Sequence, residues 1–312
     1  MLTDNDKRPV AGTFQDATPL LETPELVRER AERDGMIFFR GLLPRESVMA
    51  VRGDVLGVLR SYELLETGRE GEAIGDEARI RRYTAEEVAW NGVGAPLGVY
   101  RDIQKLESFH ALAHAPEIRR MLTAVFDGEP FVHPRNIARV MLPHPDVRTT
   151  PSHQDFLHVQ GSSDTWTCWI PLGDVPRELG GLAALKGSHR EGLLGVTHAA
   201  GAGGLESILC GLDYEWETVD FEAGDVLAFH SHTVHKALPN LRPGAVRLSC
   251  DFRYQRASDP IESASLRPHG PYDWEELYEG WTRRELMYYW KDRTFEYVPF
   301  DQSIRWQQEK IC

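Results

Sequence analysis

Apolar and polar positions along this chain follow two different periods, and the change between them divides it. Over residues 23–130 the spacing is mostly that of amphipathic helices. Thr23-Pro24-Glu25 has the form of a helix start, with a hydroxyl N-cap, proline at the first helical position and an acid in the first turn. That helix is expected to stop near Gly35, with a short strand over residues 36–40. Pro44 opens a second helix to about Tyr62. The Gly- and Glu-rich residues 66–77 read as a mobile loop, and further helices are expected over 102–114 and 116–126.

From residue 131 to 254 the texture changes to short β-type runs separated by Gly, Pro, Asn and Asp. The clearest are 137–142, 153–159, 165–172, 226–229 and 246–254. Many short strands without alternating helices point to a sandwich or barrel. Residues 193–212, rich in Gly and Ala, read as a long functional loop. Residues 272–312 read as mostly helical and dense in Trp and Tyr. The organisation expected is one domain over 1–312. It comprises an arm (1–22), a mostly helical cover (23–130), a β core (131–256) and a C-terminal helical extension (257–312).

Composition narrows the class. The chain has 312 residues, 41% of them hydrophobic, and 35 Lys and Arg against 48 Asp and Glu, a net charge of −13. A surface this acidic repels phosphates, so neither nucleic acid nor an anionic membrane is an expected partner. No apolar run reaches the length of a membrane span, and the opening residues lack the apolar stretch expected of a secretory leader. Cys168, Cys210, Cys250 and Cys312 have no CxxC spacing, which argues against a zinc knuckle or disulfide framework and for a reducing compartment. The expectation is a cytoplasmic protein acting on a small molecule, its oligomeric state open, a homodimer included.

Candidate chemistry gathers in the β region. His153-Gln154-Asp155 lies in a β-type segment, where residues i and i+2 share a face, so an imidazole and a carboxylate aim at one point. These are two parts of a two-His-one-carboxylate metal site, which leaves coordination positions open. His230, His232 and His235 offer three histidines for the third place. In the run 246–254, Arg247, Ser249, Asp251 and Arg253 share one face, costly inside a barrel unless they meet partners or a charged ligand. Arg247, with a hydroxyl from Ser249, would suit the clamping of a dicarboxylic acid.

Together these pieces resemble the phytanoyl-CoA dioxygenase-like family of iron(II)- and 2-oxoglutarate-dependent oxygenases. The resemblance is carried by His153-Gln154-Asp155, Trp169-Ile170-Pro171-Leu172-Gly173-Asp174, Gly180-Gly181 and Lys186-Gly187-Ser188-His189. It continues through Gly224-Asp225 to His235, then Pro239-Asn240, Arg247-x-Ser249 and Arg253-Tyr254. It implies an α+β fold with a double-stranded β-helix (jelly-roll, cupin-like) core covered by helices. It further implies iron(II) held by His153, Asp155 and His235, with 2-oxoglutarate and dioxygen as cosubstrates and Arg247 on the distal carboxylate. Trp169 is similar in position to an indole beside the cosubstrate in some members. The family's small hydroxyl residue two places after the distal histidine is Ala237 here, and Ser249 is a candidate substitute. Asp155 retains the carboxylate that halogenating relatives replace by a small residue, which implies hydroxylation or another C–H oxidation of a metabolite, with release of succinate and CO2.

Other readings stand beside these. They are an acyl-CoA hydroxylase of the same mechanism, with Arg79, Arg81 and Arg82 as a basic patch, a zinc hydrolase on the same three ligands, and a non-catalytic jelly-roll binding protein. His230 and His232 are expected at a core edge and a loop. His158 is expected to face away from His153, and His189 to fix a turn. Asp251 and Arg253 are expected to pair with each other or with neighbouring strands, and Asn136 and Arg139 to be within reach of cosubstrate or substrate.

Overall fold

The computed structural model describes residues 9–68 and 72–306. Eight α-helices are present among them: α1 (Pro24–Asp34), α2 (Arg45–Ser61), α3 (Glu77–Ile80), α4 (Ala85–Val88), α5 (Leu97–Gln104), α6 (Glu107–Leu112), α7 (Pro116–Phe126) and α8 (Trp274–Leu277). The strands are β1 (Met36–Phe39), β2 (Pro130–Val132), β3 (Ile137–Met141), β4 (Trp166–Pro171), β5 (Leu182–Leu185), β6 (Val196–His198), β7 (Leu205–Ser207), β8 (Trp216–Glu217), β9 (Val226–His230), β10 (His235–Ala237), β11 (Arg247–Arg256), β12 (Ile261–Glu262) and β13 (Tyr297–Val298).

The larger sheet is antiparallel, in the order β1-β9-β4-β11-β2, with β3 also paired to β11. A smaller sheet runs β10-β5-β8. Alternation along the strands explains how these layers pack. Met36, Phe38, Trp169, Leu227 and Phe229 of the larger sheet meet Leu182 and Ala184 of the smaller one in an inter-sheet core. Their neighbours Ile37, Phe39, Cys168, Ile170, Cys250 and Phe252 face the opposite way, into a core shared with α1, α2, α5 and α7. Both faces of β4 and β11 are therefore buried. The polar row of β11 sits inside the molecule, between the two sheets.

α1 ends as its sequence predicts, with Gly35 in the left-handed conformation (φ 68°) and its N–H on the Ala31 carbonyl. Several expectations need correction. Residues 153–159 are not a strand: the chain turns into a 3-10 helix at Asp155–Leu157. The helix expected over 102–114 is two, broken where Leu106 is extended (ψ 109°). The stretch 193–212 contains the β6–β7 hairpin. Of residues 66–77, the described ones are tied down by the bridges Leu65↔Gly75 and Ile74↔Ala245, and 69–71 lie outside the described residues. Among the described residues of the tail only α8 is α-helical, because Gly280 at φ 81° and Tyr288 at φ 53° turn the chain. Its aromatic residues pack on Phe131 and Ile261 instead of forming one helical stripe. Cys168 and Cys250 are free and buried, whereas Cys210 is disulfide-bonded, against the reduced state expected of it. No helix among the described residues is long and apolar enough to cross a membrane.

Candidate active site

His153 and His235 exchange both backbone hydrogen bonds, N–H to carbonyl, at 3.0 Å each way. This sets their side chains next to each other, with ring centroids 4.2 Å apart. Gln154 remains extended (φ −110°, ψ 134°), so Asp155 projects to the same side as His153 before the chain curls. The middle residue is itself a strut. The fully buried Gln154 amide donates to the carbonyls of Gly192 and His232, both at 2.7 Å, and accepts from the Leu194 N–H at 2.8 Å.

The hydrogen bonds assign each atom. A carbonyl can only accept, so Nδ1–H of His153 donates to Pro151 (2.9 Å) and Nδ1–H of His235 to Thr233 (3.0 Å). Both Nε2 lone pairs are left facing the centre, each 3.7 Å from Oδ1 of Asp155. The other oxygen of Asp155 accepts from Thr167 Oγ1 at 2.5 Å and from Arg253 Nη2 and Nε at 3.2 and 3.3 Å. One ligand atom from each of the three residues lies within 4.8 Å of the others. Burial opposes the charge on Asp155, but Arg253 and the imidazoles outweigh it and hold the carboxyl well below its usual range. Burial, with His153 alongside, lowers His235 to about 4, so that ring is neutral at physiological pH. Two imidazoles with a free Nε2 and an ionised carboxylate form a donor set suited to a divalent cation.

A chamber of about 30 Å³ adjoins these three side chains, lined among others by Trp169, Leu182, Phe229, Ala237 and Arg247. Arg247 is buried and donates from Nη1 to Ser249 Oγ at 2.6 Å, while its Nε has no partner. Its guanidinium carbon lies 5.9 Å from the Trp169 ring centre. Burial lowers Arg247 to about 10, which leaves it charged at neutral pH. Ser249 thus orients the guanidinium from two residues along the same strand. Two larger surface cavities, of about 440 and 480 Å³, lie outside the ligand group; the first shares only Met141 with the chamber.

The remaining candidates separate. His230 Nδ1 accepts from the His232 N–H (3.1 Å), the His232 ring packs on Phe156 (5.1 Å), and neither belongs to the ligand group. His189 donates to Glu32 O from Nε2 (3.0 Å). His158 does not face away: the turn at Asp155 brings its ring 5.9 Å from that of His153. Asn136 turns to His110 instead of the chamber (3.1 Å), whereas Arg139 lines it. Asp251 pairs with Arg139 on the neighbouring strand β3 (2.7 Å), whereas Arg253 pairs with Asp155 in the 3-10 turn. Of the basic run, Arg79 pairs with Glu63 and Arg81 with Glu77 (3.5 Å). Thr167 is the residue that sequence reasoning missed. It lies two places before Trp169 on β4, and the alternation that aims the indole inward aims the hydroxyl inward as well.

A family model described as phytanoyl-CoA dioxygenase (PhyH) matches residues 31–247. The chain belongs to this family. It is an iron- and 2-oxoglutarate-dependent oxygenase. Among related proteins, the 1-deoxypentalenic acid 11-beta-hydroxylase of Streptomyces arenae is 31% identical over 272 residues, covering 82% of this chain and 89% of that protein. The epimerase SnoN, solved in complex with Fe3+, alpha ketoglutarate and nogalamycin RO, superposes with a TM-score of 0.53 at 20% identity, over 77% of this chain and 86% of that one. The carbocyclase SnoK from nogalamycin biosynthesis gives a TM-score of 0.50 at 22% identity, over 79% and 89%. At these identities the solved structures speak to the fold, a mixture of helices and sheets.

Proposed function

We propose that His153 Nε2, Asp155 Oδ1 and His235 Nε2 hold iron(II), that 2-oxoglutarate lies between the metal and Arg247, and that the enzyme hydroxylates an unactivated C–H bond of a small metabolite. The two facing sheets are read as the halves of a jelly-roll, with the ligands near one end. Iron, when bound, supplies the activation of dioxygen coupled to conversion of 2-oxoglutarate into succinate and carbon dioxide. The chain's own part is to orient and enclose. The carbonyls of Pro151 and Thr233 fix the two imidazole tautomers, and Thr167 and Arg253 keep Asp155 to a single free oxygen. Arg247 offers a charged, desolvated anchor for the far carboxylate, and Trp169 and Phe229 exclude water beside it. The related Streptomyces protein is named as the hydroxylase of a small carboxylic acid, which supports a metabolite substrate.

One observation carries this reading: three ligand atoms are free and convergent while every other polar atom on those three side chains is engaged. Anaerobic titration with iron(II) and 2-oxoglutarate tests it. A weak visible charge-transfer band should develop in the wild type and be lost in His153→Ala. Wild-type protein without the band, or substrate-coupled succinate formation surviving in metal-replete His153→Ala, would sink the assignment.

A further inference from the structure

The site holds more positive charge than its carboxylates neutralise. Three guanidinium groups, the buried Arg247 and Arg253 and the partly buried Arg139, surround it, against two buried carboxylates, Asp155 and Asp251. A divalent metal and a 2-oxoglutarate dianion cancel each other, so loading the site leaves one guanidinium in excess. A buried charge without a counter-ion is costly, and the cost disappears if the last occupant brings a negative charge.

The geometry says which guanidinium is available. Arg253 is committed to Asp155, and Arg247 to Ser249 and the cosubstrate. Arg139, on β3, lines the chamber beside the metal ligands. Its Nε donates to Asp251 Oδ2 at 2.7 Å and its Nη1 to the Gly92 carbonyl at 2.9 Å. These two bonds fix the plane of the group and leave Nη2 without a protein partner among the described residues. Thr150 lines the same chamber and can add a hydroxyl donor. A planar, pre-oriented guanidinium with an open N–H is suited to a carboxylate.

We propose that Arg139 docks a carboxylate of the primary substrate, making the substrate class a small carboxylic acid rather than a neutral metabolite. This deepens the oxygenase reading above and rests on it. Arg139 is a specificity residue here, distinct from Arg247: one guanidinium serves each anion. A carboxylate at Arg139 could instead come from the metal-bound end of 2-oxoglutarate, and the test separates the two sources.

The experiment uses the full chain loaded anaerobically with iron(II) and 2-oxoglutarate. The probes are cyclohexanecarboxylate, adamantane-1-carboxylate and 1-deoxypentalenic acid, each beside its primary amide. Binding is read from perturbation of the visible band. Acids are expected to bind about tenfold or more tightly than their amides, as loss of a charge-assisted contact implies. Arg139→Gln leaves Asp251 unpaired and is prone to misfold, so the Arg139→Gln/Asp251→Asn pair removes both charges together. It should erase the preference for acids while 2-oxoglutarate titrates within about twofold of wild type, well inside the tenfold effect sought. Arg139→Lys should retain part of the preference. Equal binding of acids and amides, binding of no probe, or a parallel loss of 2-oxoglutarate affinity in the double variant overturns the proposal. Absence of the band in wild-type protein overturns the oxygenase reading itself, so the two failures are distinguishable.

Discussion

Arg253 directs two N–H groups at the same oxygen of Asp155, Oδ2, that Thr167 also hydrogen-bonds, and so leaves Oδ1 as the carboxylate's one free atom. The arrangement fixes the proposed metal ligand from behind. Replacing Arg253 by Met should weaken iron(II) affinity by about 10- to 100-fold, the usual effect of losing an outer hydrogen bond to a ligand. Arg253→Lys should recover part of it. Iron titration of the two variants, followed by the charge-transfer band, checks this; unchanged affinity in Arg253→Met would assign Arg253 a packing role only.

Arg247 is expected to act on the cosubstrate alone. Arg247→Gln should raise the 2-oxoglutarate concentration needed for half-saturation by at least about 30-fold, the equivalent of the ~2 kcal/mol lower end for breaking a buried charged pair. Iron affinity without cosubstrate should stay near wild type. Ser249→Ala, which removes only the acceptor at 2.6 Å, should give a smaller shift in the same direction. Paired titrations of metal and 2-oxoglutarate decide the matter.

Acid should destabilise the fold through histidines outside the candidate ligand group. Burial lowers both His110 and His133 to about 4. His110 donates from Nε2 to Gln104 O (3.0 Å) and takes a hydrogen bond on Nδ1 from the Asn136 amide (3.1 Å); a second ring proton would face a donor. His133 donates to Gln255 (2.8 Å), and its Nδ1 is buried without a partner. In the unfolded chain these rings titrate near ~6.5. Between the two values the unfolded state binds more protons, so their contribution is complete above about pH 6.5 and is lost as pH falls toward 4. Midpoints of urea unfolding at several pH values should fall over that window, and less steeply in His110→Gln/His133→Gln. An identical slope in the variant would contradict the assignment.

The Gly180-Gly181 pair is structural. Gly180 has φ 80°, and a Cβ there would sit 2.5 Å from the Leu238 carbonyl, while Gly181 accepts from the Leu238 N–H at 2.9 Å. Gly180→Ala should cost about 1–2 kcal/mol for the left-handed conformation alone, and more for the contact. Thermal melting should report the loss, while iron-binding stoichiometry of the folded fraction remains one.

The sequence made the site more legible than its frame. His153, Asp155, His235 and Arg247 could be singled out because side-chain type and spacing of two survive local changes of backbone: Gln154 is extended although the segment is not a strand. The expectation for His158 fails because strand alternation does not continue past Asp155 into the turn. The partners of Arg139 and Arg253 come from elements remote in sequence, and no periodicity within β11 reveals them. The C-terminal aromatic residues have a helical rhythm that ring-on-ring packing overrides.

β1 pairs with β9 over Met36–Phe39 and forms the outer margin of the larger sheet. The strand it covers, Val-Leu-Ala-Phe-His, leads toward His235, the proposed third ligand, and is apolar on both sides. The N-terminal segment is therefore an edge guard as well as a cover. A protein shortened past Phe39 would offer β9's open N–H and C=O row to the same strand of another molecule. Its first failure would be self-association during folding, with the ligand residues themselves untouched.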